Sequence, residues 1–278
     1  MIKTREFTFA DGLTHGLVGP NGIGKTTLLR KIAGQIQSGG ITVFGEEPFD
    51  KQSVLNRVIL MGIDNPLPDS WGIGKLGVIG KARWPRWDEE RFNELLVRFD
   101  VPAKAYSALS RGQKSAVGFI FAVASGCEVM LLDEPYLGLD VQNRELFYKH
   151  LLQDVERNPR TFILSTHHVD DAARILDSVV LLDKGRITGI GTLDSITERI
   201  AILSGSTTAV EATLGEVGAS GSVLHDATSS GLRRVVLDTH GLGVGSARDL
   251  AARIEGSGVR VASADLEQAV LALTGREF

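Results

Sequence analysis

Nine residues constrain this chain more than any other stretch: Gly19-Pro20-Asn21-Gly22-Ile23-Gly24-Lys25-Thr26-Thr27. A short apolar run ending at Val18 precedes them, and Leu28-Leu29-Arg30-Lys31-Ile32-Ala33, helical in pattern, follows. Strand, glycine-rich turn and helix in that order make a phosphate-binding loop, G-x-x-x-x-G-K-[ST]. The glycines let successive backbone N–H groups turn inward, and the helix start aims its unpaired N–H groups and positive dipole end at the same point. Gly19, Asn21, Gly22, Gly24, Lys25, Thr26 and Thr27 are therefore candidate nucleotide-binding residues. Lys25 can reach the terminal phosphates, and the Thr26 hydroxyl can hold Mg²⁺. A Gly/Asn/Pro turn that matches by chance is the bland alternative, against which both flanks argue. Such a loop requires an α/β fold with a parallel sheet.

Val129-Met130-Leu131-Leu132-Asp133-Glu134-Pro135 supplies the second half of that chemistry. An unbroken apolar run reads as a strand buried on both faces, and two carboxylates at its end belong at the sheet's rim. Carboxyl ends of parallel strands form the ligand crevice, so Asp133 is expected in the Mg²⁺ shell and Glu134 facing the attacking water. Leu109-Ser110-Arg111-Gly112-Gln113-Lys114 opens a long apolar helix. Its Ser110 and Gln113 have capping-box spacing, and the same helix start can bind an anion; both readings stand on the residues alone.

Other strands are expected at 6–9, 13–18, 41–45 and 58–61, the run at 41–45 adding to the sheet around the nucleotide. Residues from about 64 to 125 read as a helical insertion. Asp88 caps one of its helices, and packing of Trp71, Trp84 and Trp87 is expected, with a docking surface as the alternative. Val179–Asp183 and Arg186–Ile190 flank a hairpin turn. Beyond residue 200 the pattern is β-α-β-β-α-β, a ferredoxin-like module, then a last helix from Leu266. A net charge of −4 and a pI near 5.9 argue against a nucleic-acid partner. No run approaches a membrane span and the polar opening lacks a signal-peptide core, so a cytoplasmic location is expected. The single cysteine, Cys127, lies among small and apolar residues and is expected to be buried and inert.

Taken together these motifs resemble the nucleotide-binding subunit of an ATP-binding-cassette (ABC) transporter, over roughly residues 1–200. Gly19 to Thr27 resembles the Walker A motif, Leu109 to Gln113 the LSGGQ signature, and Val129 to Glu134 the Walker B motif with its catalytic glutamate. Leu137-Gly138-Leu139-Asp140 resembles the D-loop, and Ser165-Thr166-His167 the switch-histidine segment. Two departures stand out. Arg111 occupies the usual position of the first signature glycine, and Asp64 or Asn65 occupies that of the Q-loop glutamine, where Asp64 could accept a metal-bound water.

The resemblance implies an ATPase that uses ATP and Mg²⁺, with Thr26, Asp133 and Asp64 on the metal, Glu134 as general base and His167 bridging γ-phosphate and water. It implies a second cassette, identical or not, whose Ser110, Gly112 and Gln113 close over the nucleotide, with Asp140 coupling the two sites. It also implies an integral-membrane permease docked on the helical insertion, which would place the subunit on the cytoplasmic face of the membrane. The last helix resembles the tail of exporter-type, ABC-2-like cassettes, so export is the expected direction. A non-transport ABC ATPase acting on a ribosome or another soluble partner is the alternative. Only 24 residues precede Lys25; Phe7 and Phe9 are the nearest aromatics for stacking an adenine, but they share one face of an alternating strand and are expected in the core, so base stacking is expected to be weak.

Overall fold

The computed structural model describes residues 2–4, 7–62, 67–166, 169–183 and 185–274, without the side chains of 169, 170 and 188. By packing, the chain divides into two units, Met1–His167 with Ile175–Asp177, and His168–Arg174 with Ser178–Phe278.

The first unit runs β1 (Ile2–Lys3), β2 (Thr8–Phe9), β3 (Thr14–Val18), α1 (Lys25–Ile32), β4 (Thr42–Val43), α2 (Gln52–Leu55) and β5 (Val58–Gly62). Then come α3 (Ile73–Arg83), α4 (Glu89–Arg98), α5 (Arg111–Ala124), β6 (Val129–Asp133), α6 (Val141–Arg157) and β7 (Thr161–Thr166). Four parallel strands lie in the order β5-β6-β7-β3. β3, β6 and β7 are buried along their whole length, as strands covered on both faces must be. All four point the same way, so the loop after β3, the carboxylates at the end of β6 and the polar end of β7 share one edge.

The run at 41–45 does not join that sheet. Only Thr42–Val43 is strand, and it pairs antiparallel with β1, whose other neighbour is β2. Phe44 and Gly45, both at positive φ (54° and 87°), turn the chain so that Val43 and Glu46 exchange backbone hydrogen bonds. Two successive left-handed residues are the signature of a type I′ turn. The Arg57 guanidinium lies over the Phe44 ring, 3.5 Å from its centroid.

Between β5 and β6 the insertion is helical. The Asp88 carboxylate accepts the Arg91 N–H at 2.8 Å and starts α4. Trp84 and Trp87 stack on each other at 6.3 Å and meet Phe121 edge-on at 5.3 and 5.2 Å. A Cβ at Gly80 would overlap the Trp87 ring. These two indoles thus hold α3 to α5, as the packing reading expects. Cys127 is 2% exposed, and burial pushes its thiol up to about 11, which keeps it protonated and inert at neutral pH.

In the second unit α7 (Val169–Ala173) precedes a hairpin, β8 (Ser178–Asp183) and β9 (Arg186–Gly191), and α8 (Leu193–Arg199). Next come β10 (Ile200–Ser206), α9 (Thr207–Val217), β11 (Val223–Ser229), β12 (Leu232–Asp238), α10 (Ala247–Arg253), β13 (Arg260–Ser263) and α11 (Leu266–Leu273). The antiparallel order β11-β12-β10-β13 is the split β-α-β arrangement of the ferredoxin-like fold. Leu203, Val235 and Leu237 on the sheet meet Val210 and Leu250 on the helices as its core. No helix among the described residues is long and apolar enough to cross a membrane.

Candidate nucleotide site

Gly22 and Gly24 lie at φ 77° and 109°, with nothing within 4 Å of an added Cβ. Backbone conformation, not space, demands glycine there. α1 begins on Gly24, which has no side chain to cap it, and no acidic residue stands in its first turn. Lys25 is 7% exposed; its ammonium donates to the carbonyls of Gly19 at 2.7 Å and Pro20 at 3.1 Å. It is thereby folded over the loop it would share with phosphates.

The Thr26 hydroxyl donates to Asp133 Oδ2 at 2.6 Å, and the Ser165 hydroxyl donates to Oδ1. Glu134 follows at φ 46°, a left-handed backbone uncommon outside glycine. Its N–H donates to the Ser165 carbonyl (3.2 Å) and Oγ (3.1 Å). Its Oε1 stands 4.0 Å from the Lys25 ammonium, and its Oε2 accepts the Tyr136 hydroxyl at 2.7 Å. Asn21, Gly22, Gly24, Lys25, Thr26, Thr27, Asp133, Glu134 and Leu137 line a cavity of about 520 Å³.

A hard hydroxyl and a carboxylate 2.6 Å apart beside an anion nest fit Mg²⁺, which keeps few protein ligands and completes its shell with water and phosphate. No cluster of three or more His, Cys, Asp or Glu that could cage a metal occurs among the described residues. A larger cavity, about 680 Å³, lies at the opposite, amino ends of the strands. Its Arg57 and Glu128 are paired with each other through bonds of 2.8 and 2.7 Å, whereas the smaller cavity gathers the phosphate-loop residues and both carboxylates.

The remaining sequence candidates sit elsewhere. Ser110 and Gln113 form a full capping box, with bonds of 3.0 and 3.2 Å. Gly112 is pressed on the D-loop segment: a Cβ there would overlap the Gly138 carbonyl, and Ser115 Oγ donates to the Leu137 carbonyl at 2.6 Å. None of Ser110, Gly112 and Gln113 lines the cavity. Asp140 caps α6, accepting the Asn143 N–H at 2.8 Å. His167 and Asp64, with its alternative Asn65, fall outside the described residues.

Tyr136 and the hydroxyls of Ser165 and Thr166 carried no individual role in the sequence reading. The signal was present: polar residues ending a wholly buried strand need partners, and a carboxylate is a fitting one.

A family model described as ABC transporter matches residues 2–137. The ABC transporter ATP-binding protein YtrB of Bacillus subtilis (strain 168) is 30% identical over 201 residues, covering 71% of this chain and 69% of that protein. The sulfate/thiosulfate import ATP-binding protein CysA of Mesorhizobium japonicum is 35% identical over 192 residues, covering 65% and 56%. The chain thus spans little more than half of that second relative. Among solved structures, an ATP-binding subunit of an ABC transporter superposes with a TM-score of 0.61 at 25% identity, covering 68% of this chain and 82% of that one. The dimeric cassette MJ0796 in a post-hydrolysis state with ADP and Pi gives a TM-score of 0.60 at 18% identity, a likeness of fold.

Proposed function

The chain belongs to the ABC transporter family of ATPases, and we propose that it is the ATP-binding, ATP-hydrolysing subunit that energises a separate integral-membrane permease. The observation that carries this is the convergence of Lys25, the Thr26–Asp133 pair and Glu134 on one cavity at the carboxyl edge of the sheet. Loop N–H groups and the start of α1 would hold the phosphates, and Lys25 would exchange two backbone carbonyls for phosphate oxygens. Thr26 and Asp133 would hold Mg²⁺, which supplies charge neutralisation at the phosphoryl oxygens. Glu134 takes the proton of the attacking water. His167 and Asp64 complete the reading as contacts to γ-phosphate and to metal-bound water.

Residues 1–200 form the cassette in this reading, and 201–278 an accessory module. A second cassette, the same chain or a homologue, contributes Ser110, Gly112 and Gln113 across a dimer, with Asp140 at the contact between the sites. Closure on ATP and opening after hydrolysis would move the permease, and the subunit would be membrane-associated on the cytoplasmic face through it. Export rests on the resemblance of the α11 tail to exporter-type cassettes. The CysA relatives are importers by name, so isolation from native membranes with a substrate-binding protein would reverse the direction. Isolation with ribosomal subunits and no multi-span protein would favour the non-transport alternative.

Glu134→Gln tests the central assignment. Turnover should fall about 10²- to 10⁴-fold, ATP binding should persist, and an ATP-bound pair should accumulate in size-exclusion runs. Near-normal phosphate release from this variant would sink the proposal.

A further inference from the structure

We infer that Tyr136 is a positioning residue for hydrolysis: its phenol, tied to Thr166, fixes the Glu134 carboxylate at the phosphate cavity. The inference rests on the reading of Glu134 as the base.

Tyr136 is 1% exposed, so its hydroxyl must find partners inside the protein. Glu134 Oε2, at 2.7 Å, and Thr166 Oγ1 are among them. A phenol carries one proton, and Tyr136 donates it to Glu134, so the Thr166 hydroxyl donates to the phenol oxygen. The result is a directed chain, Thr166 to Tyr136 to Glu134, that ends on the carboxylate.

The same strand also grips the glutamate's backbone, because Ser165 accepts its N–H through both carbonyl and hydroxyl. The last two residues of β7 thus hold Glu134 at two levels, main chain through Ser165 and side chain through Tyr136. The carboxylate is divided: Oε2 lies on the phenol, while Oε1 stands 4.0 Å from Lys25. A glutamate has three side-chain torsions, and anchoring one oxygen removes the orientations that point the other away from an incoming water. Thr166 ends β7 immediately before His167. The chain of hydroxyls therefore also connects the base to the segment that resembles the switch.

A purely structural role would also satisfy a buried phenol, and kinetics separate the two. Tyr136→Phe keeps the ring and removes the bond to Glu134. Its kcat should fall roughly 10- to 100-fold, the range expected for a misplaced catalytic group. ATP affinity by calorimetry and KM should stay within about twofold, the pattern of an interaction that matters in the transition state. The ATP-bound pair should also live longer in light scattering, a readout independent of phosphate release. Thr166→Val should show a smaller defect of the same kind, and the double variant should be no worse than Tyr136→Phe, since both act through one chain. Wild-type kcat in Tyr136→Phe, or equal loss of kcat and ATP affinity, overturns the inference. If Tyr136→Phe does not fold, Thr166→Val decides alone, and normal kcat there overturns it too. Glu134→Gln keeps the two readings apart: normal turnover in that variant removes the base itself, whereas a dead Glu134→Gln beside a normal Tyr136→Phe removes only the positioning role.

Discussion

Gly112 illustrates how little room single residues have around this site. Its missing Cβ is what lets the first turn of α5 lie on the Gly138 carbonyl, and Gly138 itself sits at φ 82°. Gly112→Ala should push the Leu137–Asp140 segment away from α5, with Asp140 carrying the cap of α6 along. We expect turnover to fall at least about tenfold, while ATP binding to the single subunit stays near wild type, because, of the cavity lining, only Leu137 belongs to the displaced segment and the phosphate loop stays in place. Equal hydrolysis in the alanine variant would show that the contact tolerates the methyl. Residue placement was legible where one motif needs one residue type: the spacing that singles out Lys25, Thr26, Asp133 and Glu134 also brings them to one cavity. Tyr136 was not, because its partnership with Thr166 joins residues 30 positions apart and depends on the register of β6 against β7.

Between α4 and α6 lies a buried polar junction. His150 is 5% exposed, and its Nδ1 meets Arg91 Nη2 at 3.2 Å and Gln153 Oε1 at 3.0 Å. Burial, with the Arg91 charge adding to it, lowers its pKa. A lowered histidine is neutral in the folded chain while the unfolded chain takes a proton near pH 6.5. The unfolded state then binds more protons, so stability falls as pH drops through about 6.5 towards the lower folded value. His15, lowered chiefly by burial, acts with the same sign; Asp154, raised by burial, acts oppositely at more acid pH. The melting temperature should fall by a few degrees between pH 7.5 and 5.5, and His150→Gln should shrink that fall. An unchanged slope in the variant assigns the effect to other groups. At this scale helix starts were legible, Asp88 and Ser110 both capping as their spacing indicates. The run at 41–45 misled because a short β-prone run bounded by glycines marks a strand but not its sheet, and its partner lies at the start of the chain.

Across the whole molecule, the β-α-β-β-α-β order beyond residue 200 named its fold before any pairing was known, since few arrangements bury two helices on four short strands. The strand order β5-β6-β7-β3 was not legible, because crossover connections leave no mark on the residues they join. The cavity gathers the groups a phosphate chain would need; an aromatic platform for the base is another matter. Phe9 is fully buried and packs edge-on against Phe7 at 4.8 Å and His15 at 5.2 Å, so neither phenylalanine lines the phosphate cavity. Aromatic stacking is worth about 0.5–1.5 kcal/mol, so ATP and GTP affinities should lie within roughly tenfold. Parallel titrations at fixed Mg²⁺, repeated on Phe7→Ala, check this; a strong ATP preference that Phe7→Ala abolishes would reveal a platform after all. Testing whether two such molecules close on a nucleotide calls for a reporter, and the fold leaves a clean background for one. The chain's single sulfhydryl is Cys127, shut away at 2% exposure and protonated at neutral pH, so maleimide dyes and spin labels find no native target. A cysteine placed at the exposed Arg111 would therefore take a probe selectively, without prior removal of any native thiol.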